Sequence, residues 1–336
     1  MLMGGPDTAL RSKILVSGNE LKGGSVNLSE MFIATTYNIA SRSILGQKFE
    51  EENGKSKFGE LSRRVMVLFV AFCFGDFFPS LGWIDVLTGI IPSLKSTFGG
   101  LDAIFDKILL RLQKNSMLDF ELTKHHLKAI LLDMFVAGTD TSSTALEWLM
   151  AELIKNPRVM KRAQEEVRRV VSKKSKIDIY DINKMDYLKC IIKETLRLHP
   201  PIPLLLPRET ITSVKIGGYD IPPNTRVVTN AWAIQMDPKV WERPEEFLPE
   251  SFEGNPVDFK GQDFEFILFG GGRRGCPGLT FGVSSVEYVI ANILYWFDWK
   301  LAGADVQGED LDMTEFNGVS VTKKIPLHLV PVLHSP

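Results

Sequence analysis

Cysteine is scarce in this chain of 336 residues, which carries three: Cys73, Cys190 and Cys276. An odd, sparse set builds no disulfide framework and fits a reducing compartment. An excess of charge of one sign is lacking too. The formal net charge is −2, so nothing argues for a nucleic-acid partner. Long apolar runs are missing. The best, residues 65–74, is too short to span a bilayer, and no signal peptide is recognisable. What is there is an ordinary globular balance, 44% hydrophobic and 24% charged, with enough chain to bury roughly three quarters of its unfolded surface. Length alone suggests two domains. Motifs spread along the chain argue instead for a single domain, residues 1–336, in which they converge on one site.

Glycine is concentrated in one place, Phe269-Gly270-Gly271-Gly272-Arg273-Arg274-Gly275-Cys276-Pro277-Gly278. An extended-looking stretch, 264–268, precedes it, and residues 279–297 follow with apolar side chains at helical spacing. The cysteine therefore stands at the end of a glycine-rich loop and the start of a helix, where unpaired N–H groups favour a thiolate. Glycine lets backbone pass close under a flat ligand, and Arg274 adds positive charge. This suits a metal ligand. Two readings compete. Gly270, Gly272 and Gly275 also match a dinucleotide fingerprint, with Asp298 at about the distance of a ribose-binding acid, but little chain remains for the rest of that unit. The other is a glycine-rich loop around a buried structural cysteine.

Elsewhere the chain reads as mostly helical. Residues 1–24 are a polar lead-in with one amphipathic piece, 7–16. Helices are expected at 29–45, closed by Gly46, at 58–74 and at 96–113, with a charged turn at 50–57 and an aromatic loop at 75–83. Residues 123–156 form an unusually long apolar helix. Gly138, Asp140 and the hydroxyl run from Thr139 to Thr144 interrupt it, since glycine and back-bonding hydroxyls weaken and bend helices. A carboxylate in such a helix is expensive without a partner or water. Either this is a kinked core helix or the helix opens locally over a ligand. Asn156-Pro157 caps and starts the next helix, to about 173. Its basic face is a solvated surface or a dock for an acidic redox partner. The helix 186–199 carries Glu194 and Arg197 on one face. An extended run at 203–208, a hairpin at 214–221, a strand at 226–232, an acidic coil at 241–252 and broken strands at 319–332 complete the chain.

The pattern F-x-x-G-x-R-x-C-x-G, met by Phe269, Gly272, Arg274, Cys276 and Gly278, resembles the haem-binding loop of the cytochrome P-450 superfamily, and its wording resembles the plant A-type group. Ala137-Gly138-Thr139-Asp140-Thr141-Ser142 is similar to that family's A-G-x-D-T-S signature. The resemblance implies a mostly α (α+β) cytochrome P-450 fold, a long central helix and small β-sheets around haem b (iron protoporphyrin IX). It implies that Cys276 is the iron ligand, with Arg274 and Arg208 on the propionates and Phe269, Gly270 and Gly278 shaping the bed. By the same resemblance Gly138 leaves room for dioxygen, Thr141 hydrogen-bonds the iron-bound peroxide and Asp140 relays protons. Ala137, Leu204 and Leu205 face substrate, and Glu194 with Arg197 is a buried structural pair. The implied reaction inserts one oxygen atom from dioxygen into an apolar small molecule of plant secondary metabolism. Electrons come from NADPH through NADPH–cytochrome P-450 reductase, at the cytoplasmic face of the endoplasmic reticulum membrane.

The sequence departs from the family in four places. The anchor and first helices are missing, so the chain is expected to be N-terminally truncated. The chain is shortened near 106–109. Leu268 stands where proline is usual. Ser251 stands where an arginine completes the Glu194–Arg197 network, so Glu194 is expected to be short of a partner unless Arg243 substitutes. A non-catalytic relic with weak or no haem binding is the alternative these departures raise.

Overall fold

The computed structural model describes residues 24–46, 57–112, 123–302 and 308–334. The expected amphipathic piece 7–16 and most of the charged turn 50–57 lie outside these. The described residues group into two units, 1–147 with 296–336, and 148–295. Helices dominate both, with small antiparallel sheets, which is the mostly α architecture expected.

In the first unit, helix α1 (Leu28–Leu45) opens where the Asn27 side chain accepts the Glu30 N–H and closes at Gly46, φ +70°. Helix α2 spans Lys57–Leu68, ending six residues short of expectation. Past Leu68 the ladder tightens, the Val70 N–H reaching the Val67 carbonyl and the Ala71 N–H that of Leu68, and further on the two carboxylate oxygens of Asp85 accept the N–H groups of Phe74 and Gly75 at 2.8 Å each. Those donors no longer need carbonyls one turn back, and the short helices α3 (Phe74–Phe77) and α4 (Trp83–Leu87) replace the expected aromatic loop. Helix α5 (Ile90–Leu112) begins earlier than expected and tolerates Pro92 in its first turn. It runs unbroken through Asp106–Leu109, with Ile108 and Leu109 buried. Helix α6 (Lys124–Leu132) leads through a π-helical turn, Asp133–Ala137, into helix α7 (Gly138–Lys155). Tyr37, Phe58 and Phe135 form the aromatic centre of this core, Tyr37 and Phe58 stacking at 4.6 Å. Each ring buried this fully contributes about 1.5–3 kcal/mol.

The same unit holds a three-stranded antiparallel sheet in which His328–Leu333 lies between Val26–Asn27 and Phe297–Leu301. Pro331 does not break that strand. It pairs with Trp299, and Val26–Asn27 reaches only His328 and Leu329, so the strand's other side needs no N–H at Pro331.

In the second unit, helix α8 (Pro157–Val171) starts with proline in its first turn. Asn156 does not cap it, because its Nδ2 donates back to the carbonyl and carboxylate of Glu152. Helices α9 (Ile179–Ile182) and α10 (Asp186–Leu198) follow. The expected hairpin is present, Val214–Ile216 with Tyr219–Ile221, turning on Gly217 and Gly218 at φ +57° and +88°, where glycine carries no Cβ penalty. The expected strand 226–232 survives only as Arg226–Val227, paired with Arg208–Glu209. Asn230 then accepts the Ala233 N–H and starts helix α11 (Ala231–Gln235). Helix α12 (Leu279–Trp296) is buried along most of its length, including Val289, Ile290, Ile293 and Leu294, as an apolar helix must be.

Candidate functional site

The cysteine loop belongs wholly to the second unit. Residues 264–268 form turns rather than the expected extended stretch. The Gly270 N–H reaches the Ile267 carbonyl at 2.7 Å, and the Cys276 N–H reaches the Phe269 carbonyl at 2.8 Å. Gly270 and Gly272 sit at φ +69° and +66°, the left-handed region that glycine occupies freely. Between them and the cysteine lies a 3-10 turn, Gly272–Arg274. A side chain at Gly275 would stand 3.3 Å from the Gly272 carbonyl, and one at Gly278 would stand 3.8 Å from the Cys276 sulfur. The loop therefore closes on itself and leaves the Cys276 side chain exposed, three residues ahead of α12. This overturns the reading of a buried structural cysteine. The dinucleotide reading also lapses: Asp298 lies in an antiparallel strand opposite Val332, and among the described residues no parallel strand unit follows α12.

Arg208 meets this loop directly. Its Nη2 donates to the Arg274 carbonyl at 3.3 Å and lies 3.7 Å from where a Gly270 Cβ would be. Arg208, Gly270 and Arg274 are thus neighbours, with Arg274 exposed. Phe269 packs edge-on against Phe259 at 5.4 Å, and Phe259 against Phe266 at 5.9 Å. Leu268, in place of the usual proline, is buried. Residues 203–208 are not the rigid extended run expected. Leu205 donates its N–H to the Ile202 carbonyl and sits at φ +51°, a strained conformation for leucine. Leu204 is half exposed.

Helix α10 buries Glu194 and Arg197. The guanidinium forks onto both carboxylate oxygens, Nε at 2.7 Å and Nη2 at 2.8 Å. Glu194 also accepts the Leu248 N–H at 2.9 Å. It is fully satisfied, which corrects the expectation that Ser251 leaves it short. Arg243 does not stand in either, since it pairs with Glu246 at 3.1 Å on the surface. Backbone donation from Leu248 does the work, and Ser251 is exposed. Ser251→Arg is therefore expected to change stability by no more than about 0.5 kcal/mol, read as the urea midpoint; a larger gain would restore the arginine's importance.

The first unit holds the other candidate residues. The distortion expected at 137–141 is a π turn at Asp133–Ala137, one turn earlier. Ala137 is exposed, Gly138 and Thr141 are partly so, and the Thr141 hydroxyl donates to the Ala137 carbonyl at 2.7 Å. Thr139 turns inward, its carbonyl accepting from the Thr36 hydroxyl at 3.0 Å. Asp140 is fully buried. The Ser320 hydroxyl donates to its Oδ2 at 2.5 Å. Burial pushes the carboxyl up, against the opposing effects of Ser320 and Arg63. Two turns along, Glu147 is buried as well. It accepts from the Ser29 hydroxyl and lies 4.0 Å from Arg63, and burial pushes its carboxyl up too. Glu147 had the same signal as Asp140, an acid in an apolar helix, and sequence reasoning passed over it. Ser29 and Ser320 carry no such signal, because a serine's partner is set by the fold.

Among the described residues no group of three or more His, Cys, Asp and Glu could hold a metal. The cysteine loop offers an accessible sulfur and a side-chain-free cradle, with the Arg208 guanidinium on its backbone and an exposed arginine at 274. That set fits a metal arriving inside an anionic macrocycle, as haem does.

Residues 13–329 match the family described as Cytochrome P450. The chain is 53% identical to phenylacetaldehyde oxime monooxygenase of Prunus mume, over 97% of this chain and 66% of that protein. It is 52% identical to cytochrome P450 71A1 of Persea americana, over 93% of this chain and 67% of the relative. It is 45% identical to desmethylyatein synthase of Sinopodophyllum hexandrum, over 93% and 67%. The chain spans 66% of the length of the first relative.

Proposed function

Because the chain belongs to the cytochrome P450 family, we propose that it is a haem-thiolate monooxygenase of plant secondary metabolism. It places one oxygen atom from dioxygen into an apolar small molecule. The observation that carries this reading is the exposed Cys276 in its glycine cradle beside the Arg208–Arg274 contact. Cys276 holds the iron of haem b, Arg274 and Arg208 bind propionates, and Phe269, Gly270 and Gly278 shape the bed. When bound, a thiolate-ligated haem supplies oxygen activation and favours O–O cleavage.

The chain's own residues bind, orient and handle protons. Ala137, Leu204 and Leu205 contact substrate. Gly138 keeps the space beside the π turn free of a side chain. The Thr141 hydroxyl is held by the Ala137 carbonyl, which fixes its orientation. Burial raises the Asp140 carboxyl toward its neutral form, the direction a general acid needs. Glu194 and Arg197 are structural. In this reading residues 1–336 act as one domain.

Electrons reach the site from NADPH through NADPH–cytochrome P-450 reductase at the endoplasmic reticulum membrane. Among the described residues no helix is long and apolar enough to cross a membrane. The relative from Prunus mume makes phenylacetaldehyde oxime the first substrate to try. The test is a difference spectrum of the reduced protein with carbon monoxide. A Soret band of the thiolate type is expected, and haem-free protein would instead make the chain a non-catalytic relic.

A further inference from the structure

Asp140 has two oxygens in unlike situations. Oδ2 accepts from Ser320, while Oδ1 is buried with no hydrogen-bond partner among the described residues. A protonated carboxyl carries its hydrogen on one oxygen and accepts through the other. Ser320 decides which is which. We propose that Ser320 is a positioning residue for Asp140: its hydroxyl reserves Oδ2 as the acceptor, so the exchangeable proton rides on Oδ1. This rests on the reading above in which Asp140 hands on protons.

Ser320 is placed by backbone contacts rather than by its own side chain. The Val319 N–H donates to the Met66 carbonyl at 2.9 Å, at the end of α2. A Cβ on Gly318 would stand 3.2 Å from that carbonyl and 3.1 Å from the Ser320 carbonyl, so a side chain there would push the segment back by a few tenths of an ångström. On the other side, Thr322–Lys323 pairs with Glu315–Phe316. The serine is thus presented from a loop pinned at both ends. Both it and Asp140 are buried, at 3% and 0% exposure, so water does not compete for the hydroxyl. Arg63 on α2 is the charged group acting on the Asp140 carboxyl. Glu147 has its own serine, Ser29, whose hydroxyl also accepts the Leu327 N–H at 2.8 Å, and Lys323 acts on Glu147. The carboxyls at 140 and 147 therefore each take a separate hydroxyl, and Ser320 has one task.

The test is infrared difference spectroscopy of the haem-loaded full chain across pH, on wild type, Ser320→Ala and Ser320→Thr, with Asp140→Asn assigning the band. Ser320→Ala is expected to move the protonated carboxyl's C=O stretch to higher frequency, since that oxygen loses a donor. It is also expected to raise the band's pH midpoint by about one unit, roughly tenfold in proton affinity, because the hydrogen bond favours the ionised form. Ser320→Thr keeps the hydroxyl and should restore the wild-type band; should its extra methyl prevent folding, Ser320→Ala decides alone. An unchanged band and midpoint in Ser320→Ala would overturn the proposal, as would a folded Ser320→Thr that behaves like Ser320→Ala. Product formed per NADPH in Asp140→Asn tests the proton-delivery reading separately. Full coupling there would remove that reading while leaving the Ser320 hydrogen bond standing.

Discussion

Cys276→Ser is expected to abolish the thiolate haem spectrum, while Cys73→Ser and Cys190→Ser keep it. Only a thiolate binds iron in this manner, and two of the three sulfurs are held away from that state. Burial pushes the Cys73 thiol up, and the Asp76 and Asp85 carboxylates add to it. Burial does the same at Cys190, with Glu253 next. A thiol pushed up is protonated at neutral pH, so neither is a ready ligand. Cys276 is exposed, and its neighbours on the loop are glycines and arginines. Because its side chain is exposed, the substitution should change the unfolding free energy of the haem-free protein by about 0.5 kcal/mol or less. Loss of the carbon-monoxide band would then report the ligand and not a fold defect. A thiolate band that survives in Cys276→Ser would mean another sulfur holds the iron.

Local chemistry was legible where one residue decides it. Gly46 closed α1 as read, and Gly217-Gly218 turned the hairpin, because a positive φ acts within a few residues; the Asn27 cap, one residue before the helix, was not singled out. The cysteine loop was legible for the same reason. What could not be read were contacts made by distant residues. Asp85 takes up the Phe74 and Gly75 N–H groups from the far side of the aromatic segment. Leu248 supplies the donor that an arginine at 251 was expected to provide. Asn156 had the right type for a cap and spent its amide on Glu152 instead. A distortion of the long helix was expected from glycine and hydroxyls, and the π turn falls one turn earlier. The sequence marks that the i→i−4 ladder is weakened there. Packing of Phe135 and Val136 into the core, at 0% and 4% exposure, is a tertiary matter that helix propensity does not report.

Arg197→Ala is expected to destabilise the protein by about 3–5 kcal/mol, the cost of stranding a buried charge. The Arg197 and Glu194 side chains are 2% and 1% exposed. Besides the fork onto Glu194, Nη1 donates to the carbonyls of Gln235 and Pro244 at 3.0 and 2.9 Å, and Nη2 to that of Glu246 at 3.3 Å. The guanidinium also lies 5.4 Å from the centre of the Trp241 ring. One side chain thus ties α10 to α11 and to the coil that follows it. Truncation leaves Glu194 with the Leu248 N–H and three carbonyls short of a donor. Against a total stability of about 5–15 kcal/mol, that loss removes at least about a fifth of the whole. Arg197→Lys should rescue little, because an ammonium is a point charge and cannot span the fork and the carbonyls together. The contrast that isolates the stranded charge is the double variant Arg197→Met with Glu194→Leu. Removing both charges leaves no ion without a partner, so this variant should be more stable than Arg197→Ala, although the carbonyls still lose their donor. Urea unfolding of the three variants checks the order. A loss below about 1 kcal/mol in Arg197→Ala, or a double variant less stable than the single one, would mean that the pair is not what holds these segments together.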